Sequence, residues 1–176
     1  LDQIAGLIAE KGLAVGLQLD LRDAPVCRKA QELVQAGAIG PVHGVVFTAE
    51  HPLNLGKRPA WYFEKSKHGG TINDIGIHAF DLIPWIAGQP FARLEAARSW
   101  NAFATDTPWM HDAGQFMARL ANGAGVMGEV SYFMPDSLGY SLPPYWRLTF
   151  FGRTGLLEIT ITQNQLLLAQ NGAKAP

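Results

Sequence analysis

Residues 68–90 read HGGTINDIGIHAFDLIPWIAGQP, and this stretch organises everything on either side of it. Apolar residues at 72, 75, 79, 82, 83 and 86 recur at helical spacing, which predicts a helix over 71–88. Pro84 marks a kink and Gly88 a stop. Before the stretch, residues 51–69 read as a long loop. It holds Pro52, Pro59, the cations Lys57, Arg58, Lys65 and Lys67, and the aromatics Trp61, Tyr62 and Phe63. Such aromatics are unusual in a purely solvated loop.

After the stretch the hydrophobic period changes from helical to two. FARLEAARSW from 91, GQFMARL from 114, AGVMGEVSYF from 124, YWRLTFFG from 145, GLLEIT from 155 and QLLLAQ from 165 read as strands. Asn122-Gly123 predicts a hairpin, and Gly152 to Gly155 a second tight turn. This half is expected to be an open antiparallel sheet packed against helices. Further upstream, residues 1–12 read as a helix stopped by Gly12, 13–20 as a strand, 25–36 as a helix with Pro25 in its first position, and 42–50 as a strand. That order suits the end of an α/β domain. The chain opens on Leu1, inside a helix with nothing before it to cap the first amides, which suggests a piece of a longer protein.

Composition narrows the function classes. The 176 residues are 48% hydrophobic and 16% charged, which excludes a disordered chain. Residues 1–40 carry four basic and five acidic side chains, and the remainder ten of each. Neither part has the basic excess of a nucleic-acid binder. No apolar run approaches the roughly 18 residues of a membrane span. One cysteine, Cys27, permits neither an intrachain disulfide nor a cysteine metal cluster. A cytoplasmic protein acting on a small molecule is the expectation.

Asp74 and His78 carry the sharpest chemical signal. Four residues apart on a helix, they share a face. Histidine suits proton transfer near neutrality, and a carboxylate one turn away can orient it or bind the hydroxyl it deprotonates. Gly69 and Gly70 let another molecule approach the backbone. The plainer alternative makes Asp74 a helix cap and His78 a core residue. A metal site would need Asp74, His78 and Asp81 joined by His43, His51 or His111, and nothing in the sequence brings that further ligand. No metal is expected. Residues 123–128 match G-x-G-x-x-G, but an Asn-Gly turn precedes them and a strand continues through them, so they predict a hairpin and not a dinucleotide turn. The loop cations, Arg58 among them, suit an anionic ligand, and Trp61 suits stacking on a sugar face. Cys27 has no activating neighbour, and no G-x-S-x-G elbow of a serine hydrolase is present.

On Gly69, Gly70, Asp74, Gly76, His78, Asp81, Trp85 and Gly88, with Arg58-Pro59-Ala60-Trp61 and the run from Arg22 to Val42, the chain resembles the glucose-fructose oxidoreductase / inositol dehydrogenase / MocA family. The resemblance implies a Rossmann domain followed by an α/β substrate domain whose open sheet often builds a subunit interface. On that map residues 1–40 are the tail of the Rossmann domain and residues 41–176 the substrate-binding and oligomerisation domain. The fold class is then an α/β Rossmann tail plus an α+β domain. The resemblance further implies hydride transfer between NAD or NADP and a sugar, cyclitol or similar polyol. His78 would move the hydroxyl proton and Asp74 would hold the substrate or tune His78. Arg58 and Trp61 fall to the substrate, and Gln18, Arg22, Gly69 and Gly70 to the cofactor. The expected assembly is a homodimer or homotetramer through the sheet. The family's glycine turn and catalytic lysine motif are not among these residues. A second reading, a non-catalytic sugar-binding or oligomerisation module, therefore stands beside the first.

Overall fold

The strand β1 (Val42–Pro52) runs through the middle of a seven-stranded sheet, and its burial alternates because one face is covered and the other open. Two three-stranded meanders flank it. On one side lie β2 (Phe91–Trp100), β3 (Ala113–Leu120) and β4 (Gly125–Met134), and on the other β5 (Arg147–Gly152), β6 (Gly155–Thr160) and β7 (Gln165–Gln170). The order is β2-β3-β4-β1-β5-β6-β7. This computed structural model describes residues 2–176.

The strand boundaries fall where the period-two pattern puts them, but the sheet is mixed and not antiparallel throughout. β1 pairs parallel with β4, Val46 beside Met127 and Thr48 beside Glu129, and antiparallel with β5. Hairpins impose antiparallel pairing on neighbours in the chain. The direction of β1 against β4 is set by a long crossover, which no local pattern encodes. The Asn122-Gly123 hairpin forms as expected, with Gly123 at φ +89° and its amide donating to the Leu120 carbonyl. The G-x-G-x-x-G residues lie in that turn and in β4.

Helix α2 (Pro25–Gln35) carries Pro25 in its first turn, where the missing amide costs nothing, and buries Val26, Cys27, Ala30 and Val34 on one face. Helix α3 (Ile77–Ala87) buries Ala79, Leu82, Ile83 and Ile86, and Gly88 ends it in the left-handed conformation at φ +64°. Pro84 is carried inside α3 without ending it. Both helices pack into the core on the covered face, where Phe80 meets both Phe91 and Phe116, and Phe116 meets Phe47. A Cβ at Gly128 would lie 1.9 Å from the Phe47 ring, so β4 leaves room for that ring by having no side chain there.

One expected element does not form. Residues 13–19 alternate like a strand but form none. Leu13, Val15 and Leu17 are 51%, 66% and 77% exposed, and no described strand runs beside them to supply a ladder. Helix α1 (Asp2–Lys11) likewise buries no residue. The helix expected over 71–88 is present, but its first turn is a π-turn over Ile72–Gly76. Gly114 on β3 makes room for Ile72, since a Cβ there would lie 2.6 Å from the Ile72 side chain. Thr71, fully buried, anchors the turn by donating its amide and hydroxyl to the His111 carbonyl.

Candidate active site

The π-turn delivers Asp74 to one end of the central strands, where three segments meet it. The short 3₁₀ turn Ala60–Phe63 brings Tyr62, the end of β4 brings Tyr132, and the residue before the glycine pair brings His68. Tyr62 donates its hydroxyl to Asp74 Oδ2 at 2.7 Å, and Tyr132 donates to the same oxygen. The two phenol oxygens also touch. His68 Nε2 lies 3.2 Å from the Tyr132 hydroxyl and 3.5 Å from Asp74 Oδ2. Burial by itself would raise the Asp74 carboxyl, but the hydrogen bonds from His68, Tyr132 and Tyr62 outweigh it and hold the group well below the usual carboxylate range. Tyr62 and Tyr132 are driven up, first by burial and then by the adjacent anion, and so remain protonated donors.

Arg58 does not point freely into solvent. Its guanidinium donates to the carbonyls of Leu53 and Pro52 at 2.9 and 3.0 Å and sits 4.5 Å over the Tyr62 ring and 5.3 Å over that of Tyr132. Trp61 packs against Tyr62 and stays 47% exposed. Gly69 and Gly70 adopt φ +80° and +87°, and a Cβ on Gly70 would meet nothing within 4 Å. Beside them a pocket of about 250 Å³ opens between Tyr62, His68 and Trp109.

His78 and Asp74 are not joined by a hydrogen bond or ion pair among the described residues. The i, i+4 rule assumes α geometry, and the wider π-turn redirects Asp74 toward Tyr62 and Tyr132. His78 instead packs edge-on against Trp146, with ring centroids 5.7 Å apart, and its buried Nδ1 has no partner within the chain. His51, at the end of β1, shares that surrounding. It contacts Trp146, Tyr132, Tyr140 and Tyr145, its buried Nε2 is also unpartnered, and burial lowers it to about 4, so it is neutral at physiological pH.

Of the residues assigned to a cofactor, Arg22 is held by Asp81 in a two-point ion pair, Nε to Oδ2 at 2.7 Å, and lies over Trp85. Gln18 is exposed on the unpaired segment. Neither hydrogen-bonds to the Asp74 cluster. With Asp81 engaged by Arg22, a metal site on Asp74, His78 and Asp81 finds no support. Among the described residues no group of three or more histidines, cysteines, aspartates or glutamates converges. Cys27 is fully buried, and burial pushes its thiol up to about 12, which leaves it inert. Tyr62, His68 and Tyr132 were assigned no site role from sequence, and His51 entered only as a conceivable further metal ligand. His68 sits next to the glycine pair and Tyr62 among the loop aromatics, so both had a signal. Tyr132, inside a strand, had none.

Fold and site define an α+β domain in which a mixed sheet, covered on one face by helices, presents an ionised carboxylate and two unpartnered histidines at the end of its central strands. The chain belongs to the GFO/IDH/MocA family of nicotinamide-dependent oxidoreductases: the model of that family's C-terminal domain matches residues 27–158. It is 26% identical over 140 residues to the rhizopine catabolism protein MocA of Rhizobium meliloti, covering 78% of this chain and 40% of that protein. An oxidoreductase structure from Erwinia carotovora atroseptica superposes with a TM-score of 0.83 at 28% identity, over 98% of this chain and 53% of that one. The fold is also that of an inositol dehydrogenase homolog from Azotobacter vinelandii, complexed with NAD+, with a TM-score of 0.80 at 16% identity over 99% of this chain and 46% of that one. The chain thus spans about half or less of the length of these relatives.

Proposed function

We propose that this chain is the substrate-side part of an oxidoreductase that acts with NAD or NADP on a sugar, cyclitol or similar polyol, with His78 as the proton-transfer residue. Residues 1–40 then belong to the end of the dinucleotide domain and residues 41–176 to the substrate domain. The observation that carries this reading is a carboxylate held ionised by three neighbours, close to histidines with unpartnered buried nitrogens. A carbinol carbon gives up hydride only as its hydroxyl loses a proton. Asp74 accepts a hydrogen bond from a substrate hydroxyl, and His78 takes the proton as the carbonyl forms. Bound NAD or NADP supplies the hydride acceptor. The glycine pair, Gly69 exposed and Gly70 partly buried, adopts positive φ that disfavours other side chains and fits the close approach of the cofactor's reacting end. Gly69 and Gly70, together with Gln18 and Arg22, are the cofactor contacts proposed for this chain. Trp61, half exposed beside the site, suits the apolar face of a sugar ring.

The open sheet face supports self-association as a dimer or tetramer. Val46, Met117, Met127 and Phe151 stand exposed there, Met117 and Met127 each at 54%.

The test uses the intact oxidoreductase, NAD and NADP, and a panel of polyols. His78→Asn is expected to lower turnover by about two to four orders of magnitude with cofactor affinity nearly unchanged. Unchanged turnover removes His78 from the chemistry. Polyol binding without turnover in the wild type would point instead to a non-catalytic binding module.

A further inference from the structure

The donors around Asp74 form a directed chain that starts in the backbone of the glycine turn. Gly70 N–H donates to His68 Nδ1 at 3.2 Å. An Nδ1 that accepts cannot carry the proton, so the neutral ring carries it on Nε2. His68 Nε2–H therefore donates, toward the Tyr132 oxygen at 3.2 Å. Tyr132 O–H donates a hydrogen bond to Asp74 Oδ2, and Tyr62 donates to the same atom. Each bond in such a chain polarises the next. Arg58 lies over both phenol rings, 4.5 Å from that of Tyr62 and 5.3 Å from that of Tyr132.

All these contacts end on one oxygen. Asp74 Oδ1 receives no hydrogen bond among the described residues, and the side chain is 41% exposed. Here one oxygen is saturated and the other is left open, in a fixed orientation, beside the glycine turn.

We propose that His68, Tyr62 and Tyr132 are positioning residues for Asp74, which clamp its Oδ2 and leave Oδ1 as the single fixed acceptor for a donor group of a bound hydroxyl compound. This rests on the reading of Asp74 as a substrate contact, but the clamp is measurable without substrate or cofactor. The glycine pair then has a second duty, since its amide sets the His68 tautomer that makes the clamp complete.

The groups that face Asp74 are Tyr62 and Arg58 from the loop, His68 from the turn, Tyr132 from β4, and His51 and His78 from β1 and α3. A carbon-13 carboxyl NMR titration of the 176-residue chain reads Asp74 directly. In the wild type, Asp74 is expected to stay ionised to the lowest pH at which the chain is folded. In Tyr132→Phe and in His68→Leu its midpoint is expected to rise by about one pH unit or more. His68→Gln, which keeps an N–H near the Nε2 position, should restore most of the wild-type behaviour. Tyr145→Phe, outside the clamp, should leave the midpoint unchanged. If Tyr132→Phe does not fold, Tyr62→Phe and His68→Leu decide. An ordinary midpoint near 4 in the wild type, or folded clamp variants that titrate like it, overturns the proposal. Unchanged turnover of Asp74→Asn in the intact enzyme, with the wild-type clamp shown by the titration, would instead count against the reading of Asp74 as a substrate contact.

Discussion

Asp74 and Glu50 are two partly buried carboxylates on opposite sides of the same sheet, and their surroundings drive them in opposite directions. Asp74, at the π-turn, has three donors converging on one oxygen. Glu50, on the open face of β1, has burial against it, one hydrogen bond from Ser131 and the like charge of Glu129 across the β1–β4 pair. Its carboxyl rises to about 7. Burial penalises both charges. What differs is the number of donors, and that decides which group remains an anion at neutral pH. The covered end of the sheet is thus built to hold a charge, and the open face to shed one.

The largest expected effect separates the two sites by chemistry. In the intact oxidoreductase, Asp74→Asn should cost about two orders of magnitude or more in kcat/KM, and Glu50→Gln should stay within about twofold. Comparable losses from both substitutions would erase the distinction.

Packing sharpens the same contrast. Gly128→Ala places a methyl group against the Phe47 ring on the covered face and should destabilise the chain by about 1–3 kcal/mol in denaturant unfolding. Met127→Ala, the neighbouring residue on the open face, should stay within about 0.5 kcal/mol for the monomer.

The pH dependence of stability gives a third handle. Glu50 has a raised carboxyl in the folded chain, so the folded state binds the proton more tightly than the unfolded state. Its contribution is full below the ordinary value of 4.5 and is lost as pH climbs to about 7. Asp74 has the reverse sign: its contribution is present above the ordinary value of 3.8 and is lost as pH falls below it. Thermal melts from pH 4.5 to 7 should therefore decline in the wild type and flatten in Glu50→Gln. A decline that survives Glu50→Gln would place the titrating group elsewhere.

The smallest effect concerns assembly. Met117→Lys with Met127→Lys should leave the unfolding midpoint nearly unchanged while shifting sedimentation toward the monomer. An unshifted association state would remove the open face as the contact surface.

The helix over 71–88 and the strands after it could be read from hydrophobic period; β3, β4, β5 and β6 bury residues that a one-residue slip would expose, whereas β2 and β7, at the sheet edges, bury none. The strand at 42–50 was legible for the same reason. The misread segment, 13–20, shows the limit of that logic. Alternation there is genuine, but alternation reports a buried face only when something covers it. The site was half legible. Asp74, His78, Arg58 and Trp61 stand in unusual local company, next to glycines, prolines and charges. Tyr132 and His51 stand in ordinary strands. Their role comes from the register that sets the ends of β4 and β1 beside the π-turn.

Three features of this protein were determined by the sequence itself: the elements, the hairpin turns, and the placement of a carboxylate, a histidine and two glycines in one short stretch. These depend on interactions within a few residues, which spacing records directly. The tertiary structure decided the rest. It paired β1 parallel with β4, widened the first turn above α3, and turned Asp74 away from His78 toward two tyrosines and His68. It also spent Arg22 on Asp81, a residue 59 positions away. Each of these is a choice among partners distant in the chain, and that choice is made by packing and by the need of buried polar groups to be satisfied.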